Sequence, residues 1–144
     1  GCRYFDGDIK ELETIVAGLN SPGLLVSHGG PQQVGKDALD YTSQGNNVGH
    51  DALLPLFKNT NIPFGIFGNI HEAGGRATDL AGAKLAVGAE HPALYLNPGP
   101  VDSIRWPMND GTESTGMAAV MTIKAGKASY KVERFTLAAV APAK

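Results

Sequence analysis

The chain has a single cysteine, Cys2, in 144 residues. An internal disulfide and a cysteine-based zinc site are thereby excluded, and a reducing compartment, the cytoplasm, is the expected setting. Long hydrophobic runs are also missing: none approaches the roughly 20 residues needed to cross a bilayer, so no membrane partner is expected. Nor is there an excess of one charge. Twelve Lys and Arg face fourteen Asp and Glu, for a formal net charge of −2, and the basic residues do not cluster. A nucleic-acid partner needs a concentrated positive patch, so small-molecule chemistry is the better expectation. The start, Gly1-Cys2-Arg3-Tyr4, carries neither a Met nor a signal-like apolar stretch, and the chain reads as processed, excerpted or one piece of something longer.

What is present is enough apolar material for one core. Hydrophobic residues make up 42% of the chain, which suits a single domain, or part of one, over residues 1–144. Nineteen Gly and nine Pro interrupt apolar segments rather than forming a tract, so the pattern is one of many loops on an ordered scaffold. The small-residue stretch 135–144 reads as a flexible tail.

Residues 8–19 place Ile9, Leu12, Ile15, Val16 and Leu19 on one helical face, with Asp8 as N-cap and Glu11 as its capping-box partner. Residues 23–27 read as a buried strand, followed by a glycine-rich loop that lasts to about Asn47. A helix over 50–58 should bury Leu53, Leu54 and Phe57, with Pro55 either within its first turn or kinking it. Apolar strands follow at 63–67 and 93–96. The stretch 116–135 alternates with period two on either side of Ala125-Gly126, which predicts an antiparallel hairpin. Strands alternating with helices predict an α/β layered fold with its site at the strand ends.

Two histidines stand at such ends. His28 opens "HGGPQQVG" after the first strand, and His71 lies in "FGNIHEAGG" after the second. Imidazole is the commonest metal ligand and the usual acid or base near neutral pH, and the flanking glycines allow a ligand close to the backbone. Glu72 is either an orienting acceptor for a ligand or the partner of Arg76 in a surface ion pair. His50 reads as an exposed residue before a helix and His91 as a turn residue. Asn97-Pro98-Gly99 is a strand-to-turn signature, and Arg105-Trp106 either binds a substrate or pins the loop before the hairpin.

"LLVSHGGP", then "PFGIFGNIHEAGG", "LYLNPGPV" and a closing hairpin together resemble the C-terminal half of the calcineurin-like metallophosphoesterases, over about residues 20–134. The resemblance implies half of a four-layer αββα sandwich that ends in the hairpin. It implies hydrolysis of a phosphomonoester or phosphodiester by metal-activated water. His28 matches the histidine that ligates the second metal of a binuclear Mn, Fe, Zn or Mg centre. His71 matches the last histidine of a Gly-His-x-His element, and Asn69 stands where that element has its first. The metal residues so implied are His28, Asn69 and His71.

Two departures follow from the same comparison. Asn69 offers an amide oxygen, which suits a hard cation better than it suits zinc or ferrous iron. The family's earlier motifs, Asp-x-His, Gly-Asp-x-x-Asp and Gly-Asn-His-Asp/Glu, are absent. The chain is therefore expected to be inactive, or nearly so, on its own. An uncovered apolar edge would be met by a missing N-terminal part, a second chain or a further copy. A phosphorylated small molecule is the implied substrate. The alternative is a metallophosphoesterase-like scaffold that has lost catalysis and serves as an assembly module.

Overall fold

The structure is a computed structural model and describes residues 5–135; Cys2 and nearly all of the tail expected at 135–144 lie outside the described residues. Helix α1 spans Asp6–Ala17, two residues earlier than predicted. Asp8 is not its N-cap: its carboxylate accepts the Phe5 N–H (2.9 Å) from within the first turn, and its own N–H bonds Phe5 O. Ile9, Leu12 and Val16 turn to the core, whereas Ile15 and Leu19 are exposed, so the apolar face is narrower than the sequence implied.

Strand β1 covers Leu24–Ser27 and α2 covers Leu53–Asn59. In α2 the residues buried are Leu53, Leu56 and Phe57. Pro55 lies in the first turn, where a missing N–H leaves no bond unmade. Then come β2 (Phe64–Phe67), a 3₁₀ turn (His71–Ala73), β3 (Arg76–Thr78) and β4 (Leu94–Asn97). The last third holds β5 (Trp106–Pro107), β6 (Glu113–Ser114), β7 (Met117–Lys124) and β8 (Lys127–Arg134). At the β7–β8 turn both Ala125 (φ 49) and Gly126 (φ 74) are left-handed, the geometry that suits strand twist in a two-residue hairpin.

The architecture is mixed α/β. One sheet runs β1-β2-β4-β3, with β1, β2 and β4 parallel and β3 antiparallel to β4. Side-chain alternation sends Phe67 and Tyr95 to one face, where they meet Ile9, Leu53, Leu56 and Phe57 from the helices. It sends Phe64, Leu94, Leu96 and Ala77 to the other, under Ala128 and Tyr130 of the β7–β8 hairpin. Phe57 packs edge-on against Phe67 and Tyr95, with centroids 5.9 and 5.1 Å away. Burial, with Asp79 adding to it, pushes the Tyr95 phenol up to about 12.

The two sheet edges differ. Beyond β3, residues 83–85 supply further bonds, Leu85 N–H to Ala77 O and Asp79 N–H to Ala83 O, both 2.9 Å. Strand β1 is an outer strand on which Leu24 is 44% and Val26 66% exposed. The sequence predicted a buried strand over 23–27; Gly23 is buried, but within β1 only Leu25 and Ser27 are half-buried, because helices cover β1 on one face alone.

Candidate functional site

The parallel pairing of β1 with β2 puts Ser27 opposite Phe67, so the residues that follow, His28 and Gly68, emerge side by side. Gly68 N–H donates to His28 O (3.0 Å), and a Cβ built on Gly68 would come 4.0 Å from His28 Nδ1. One ring nitrogen of the exposed His28 thus lies near Gly68. Next to this junction is a cleft of about 50 Å³ whose lining includes Gly29, Gly30, Gly49, His50, Gly68 and Asn69. That volume suits an ion with a few waters and is well below the roughly 300–1,000 Å³ of sites that enclose a drug-sized ligand.

The far wall of the cleft is the loop 31–49, held by a buried carboxylate. Asp40 is 3% exposed and accepts from Gln33 N–H (3.1 Å), Gly49 N–H (2.8 Å) and the Asn47 amide (2.9 Å). Gln33, also buried, donates to Thr78 Oγ1 and Asp79 O and accepts from Leu39 N–H, all at 2.9 Å. Buried polar groups must find partners, and here they tie the loop to β3. His50 joins the same wall: its N–H donates to Gly30 O (2.9 Å), and its carbonyl accepts from Gln32 N–H (3.1 Å). It is half-buried rather than exposed as expected.

Asn69 sits at φ 67. Ile70 N–H donates back to Gly68 O at 2.8 Å, so Asn69 is the centre of a γ-turn of positive φ, a rare and strained conformation that Asn tolerates better than most residues. The strain is held in place from β4: the Asn97 amide donates to Ile70 O (2.8 Å) while its Oδ1 accepts Gly99 N–H (2.9 Å). The Asn-Pro-Gly segment thus fixes the loop that carries Asn69 and His71.

His71 opens the 3₁₀ turn, and its ring meets Trp106 with centroids 4.2 Å apart and planes at 85°. Of the expected metal residues, the fold brings the His28 and Asn69 segments into contact through Gly68 and places His71 two residues further on, against Trp106. Among the described residues no group of three or more His, Cys, Asp or Glu is arranged to hold a metal ion. His28, Asn69 and His71 are donors of a kind a divalent cation takes, two imidazoles and an amide oxygen, but of the three only Asn69 lines the cleft, and the set is short in number, so a metal centre here would need further ligands from elsewhere.

Glu72 does not pair with Arg76. Its Oε1 accepts Ser43 N–H at 2.7 Å, clasping the 31–49 loop to the 3₁₀ turn. Burial works to raise the Glu72 pKa, but the Ser43 backbone bond and weaker contacts outweigh it and hold the group below its ordinary 4.5. A depressed carboxylate adds stability above its unfolded pKa, and that stability is lost as pH falls through the lower folded value. Glu72→Gln is accordingly expected to flatten the dependence of the urea midpoint on pH below about 4.5; an unchanged slope would contradict the clasp. Arg76 is 4% exposed and reaches Lys36 O at 3.5 Å; burial lowers its pKa, with Asp110 and Asp37 opposing.

Arg105 pairs with Glu113 (3.0 Å), and His91 exchanges two backbone bonds of 2.8 Å with Ala128 of β8. That His50 and Asp40 build one wall was not legible from local pattern, because both depend on partners 7 or more residues away. No helix of the described residues is long and apolar enough to cross a membrane. Comparison with protein-family models, curated proteins and solved structures gives no match.

Proposed function

We propose that this chain is the C-terminal, metal-binding part of a cytoplasmic metallophosphoesterase of the calcineurin-like type, acting on a phosphorylated small molecule. The observation that carries it is the junction of Gly68 N–H with His28 O at 3.0 Å, which sets the Ser-His-Gly and Gly-Asn-Ile-His segments side by side at the ends of neighbouring parallel strands. The layering is compatible with it: helices lie on one face of the sheet and the hairpin on the other, an order that three layers of an αββα sandwich would also have. His28, Asn69 and His71 would contribute to a divalent-metal centre completed by ligands outside this polypeptide. Such a centre, when bound, supplies a water of lowered pKa and neutralises charge on the phosphate. The chain's own part would be to bring the His28 and Asn69 segments together beside a shallow cleft rimmed by glycine backbone, with His71 two residues further on.

The test is Mn²⁺-dependent hydrolysis of bis-p-nitrophenyl phosphate by the longer protein that contains this segment. Turnover abolished by His71→Ala and by His28→Ala is expected; turnover indifferent to both would overturn the reading. Asn69→His is expected to raise Zn²⁺ affinity about tenfold or more, since imidazole replaces an amide oxygen, and calorimetry would measure it. A second reading, a non-catalytic assembly module, is favoured by the exposed Leu24 and Val26 of β1. It predicts no turnover in the longer protein.

A further inference from the structure

A histidine that ligates a metal usually has its second ring nitrogen held by a carboxylate or carbonyl, which fixes the plane of the ring. The contact that the structure gives the His71 ring is of another kind: the indole of Trp106, edge to face, with centroids 4.2 Å apart. That indole is itself anchored. Its Nε1–H donates to Asp102 Oδ1 at 3.1 Å, and the same oxygen accepts Ile104 N–H at 3.0 Å. The strand that carries Trp106 is held to β6 opposite Ser114, and Asn109 N–H donates to Glu72 O (2.8 Å), so the 102–114 segment grips the 3₁₀ turn from two sides. Trp106 is the only tryptophan in the chain.

We propose that Trp106 is a positioning residue for His71, its anchored indole setting the ring plane in the role that a hydrogen-bond acceptor fills elsewhere. An aromatic wall restricts rotation about the Cβ–Cγ bond without a carbonyl or carboxylate fixing either ring nitrogen. It thus orients the ring without committing it to one tautomer, a property suited to a ligand that must accept a cation. The metal-affinity part of the inference rests on the function proposed above; the ring-orientation part does not.

The test uses isotope-labelled chain without metal. In the wild type the His71 Cε1–Hε1 correlation and side-chain couplings are expected to report one rotamer. In Trp106→Ala they should average over several, and in Trp106→Phe they should stay near wild type. Asp102→Ala, which frees the indole, should loosen the ring with the fold intact, and it decides the matter if Trp106→Ala does not fold. Zn²⁺ titration of the same samples is expected to show affinity at His71 falling about 10–100-fold in Trp106→Ala and recovering in Trp106→Phe. A single His71 rotamer in both Trp106→Ala and Asp102→Ala would overturn the proposal. So would unchanged Zn²⁺ affinity in Trp106→Ala where His71→Ala abolishes binding. If His71→Ala leaves Zn²⁺ binding intact, the metal reading fails by itself, and the rotamer measurement still decides the role of Trp106.

Discussion

Gly49→Ala is expected to lower stability by about 3 kcal/mol or more, at or beyond the upper end of the usual range for overpacked sites. A Cβ at this position would come 2.3 Å from Pro31 O, 2.5 Å from Pro31 C and 2.6 Å from Gln32 Cα. These are backbone atoms, with no flexible side-chain end to swing aside. They cannot retreat without cost, because His50 exchanges bonds with Gly30 and Gln32 and Asp40 grips both Gln33 N–H and Gly49 N–H. Urea unfolding of the two proteins provides the measurement. A midpoint equal to that of the wild type would mean that the 31–49 loop shifts freely, and the wall of the cleft would then have no fixed shape.

Asn97→Ala should have the second largest effect, about 2–4 kcal/mol, because it strips the partner from one carbonyl and one N–H at a largely buried site. Asn97 is 1% exposed; its side chain serves Ile70 O and Gly99 N–H at once, and its backbone oxygen accepts Gly75 N–H (2.8 Å). Asp at this position would keep an acceptor for Gly99 and turn a second acceptor toward Ile70 O, so Asn97→Asp should not rescue. Beyond stability, the γ-turn at Asn69 should relax when its clamp is removed. The amide resonances of residues 68–71 would report that change, and their preservation in Asn97→Ala would assign the strain to some other contact.

How far the sequence could be read depended on the range of the interactions involved. Helix α2, β2, β4 and the β7–β8 hairpin follow from local periodicity and turn chemistry, and each lies within a few residues of its expected place. Strand β3 was invisible: Arg76-Ala77-Thr78 is three residues long and includes a buried guanidinium, and only pairing with β4 makes it a strand. The two-residue strands β5 and β6 were hidden in the same way. Asp8 was assigned the wrong side of its own helix start, since a carboxylate can cap from the first turn as readily as from the flanking residue. At the candidate site, His28, Asn69 and His71 stood out by type and by the strands before them. What holds them, the Asp40 and Gln33 ties, the Asn97 clamp on Ile70 and the Trp106 wall, joins positions 6 to 46 residues apart. No periodicity records such pairs.

The unequal borders of the sheet have a further consequence. On the β3 side the 83–85 segment already occupies the place of the next strand, whereas β1 presents its outward groups with Leu24 and Val26 beside them. Lengthening of the sheet can thus proceed in one direction only, and any polypeptide joining it, from the same gene product or another, must arrive next to Leu24–Ser27. It would then lie immediately beside the His28 junction, so on the function proposed above, extending the sheet and adding metal ligands would be a single event.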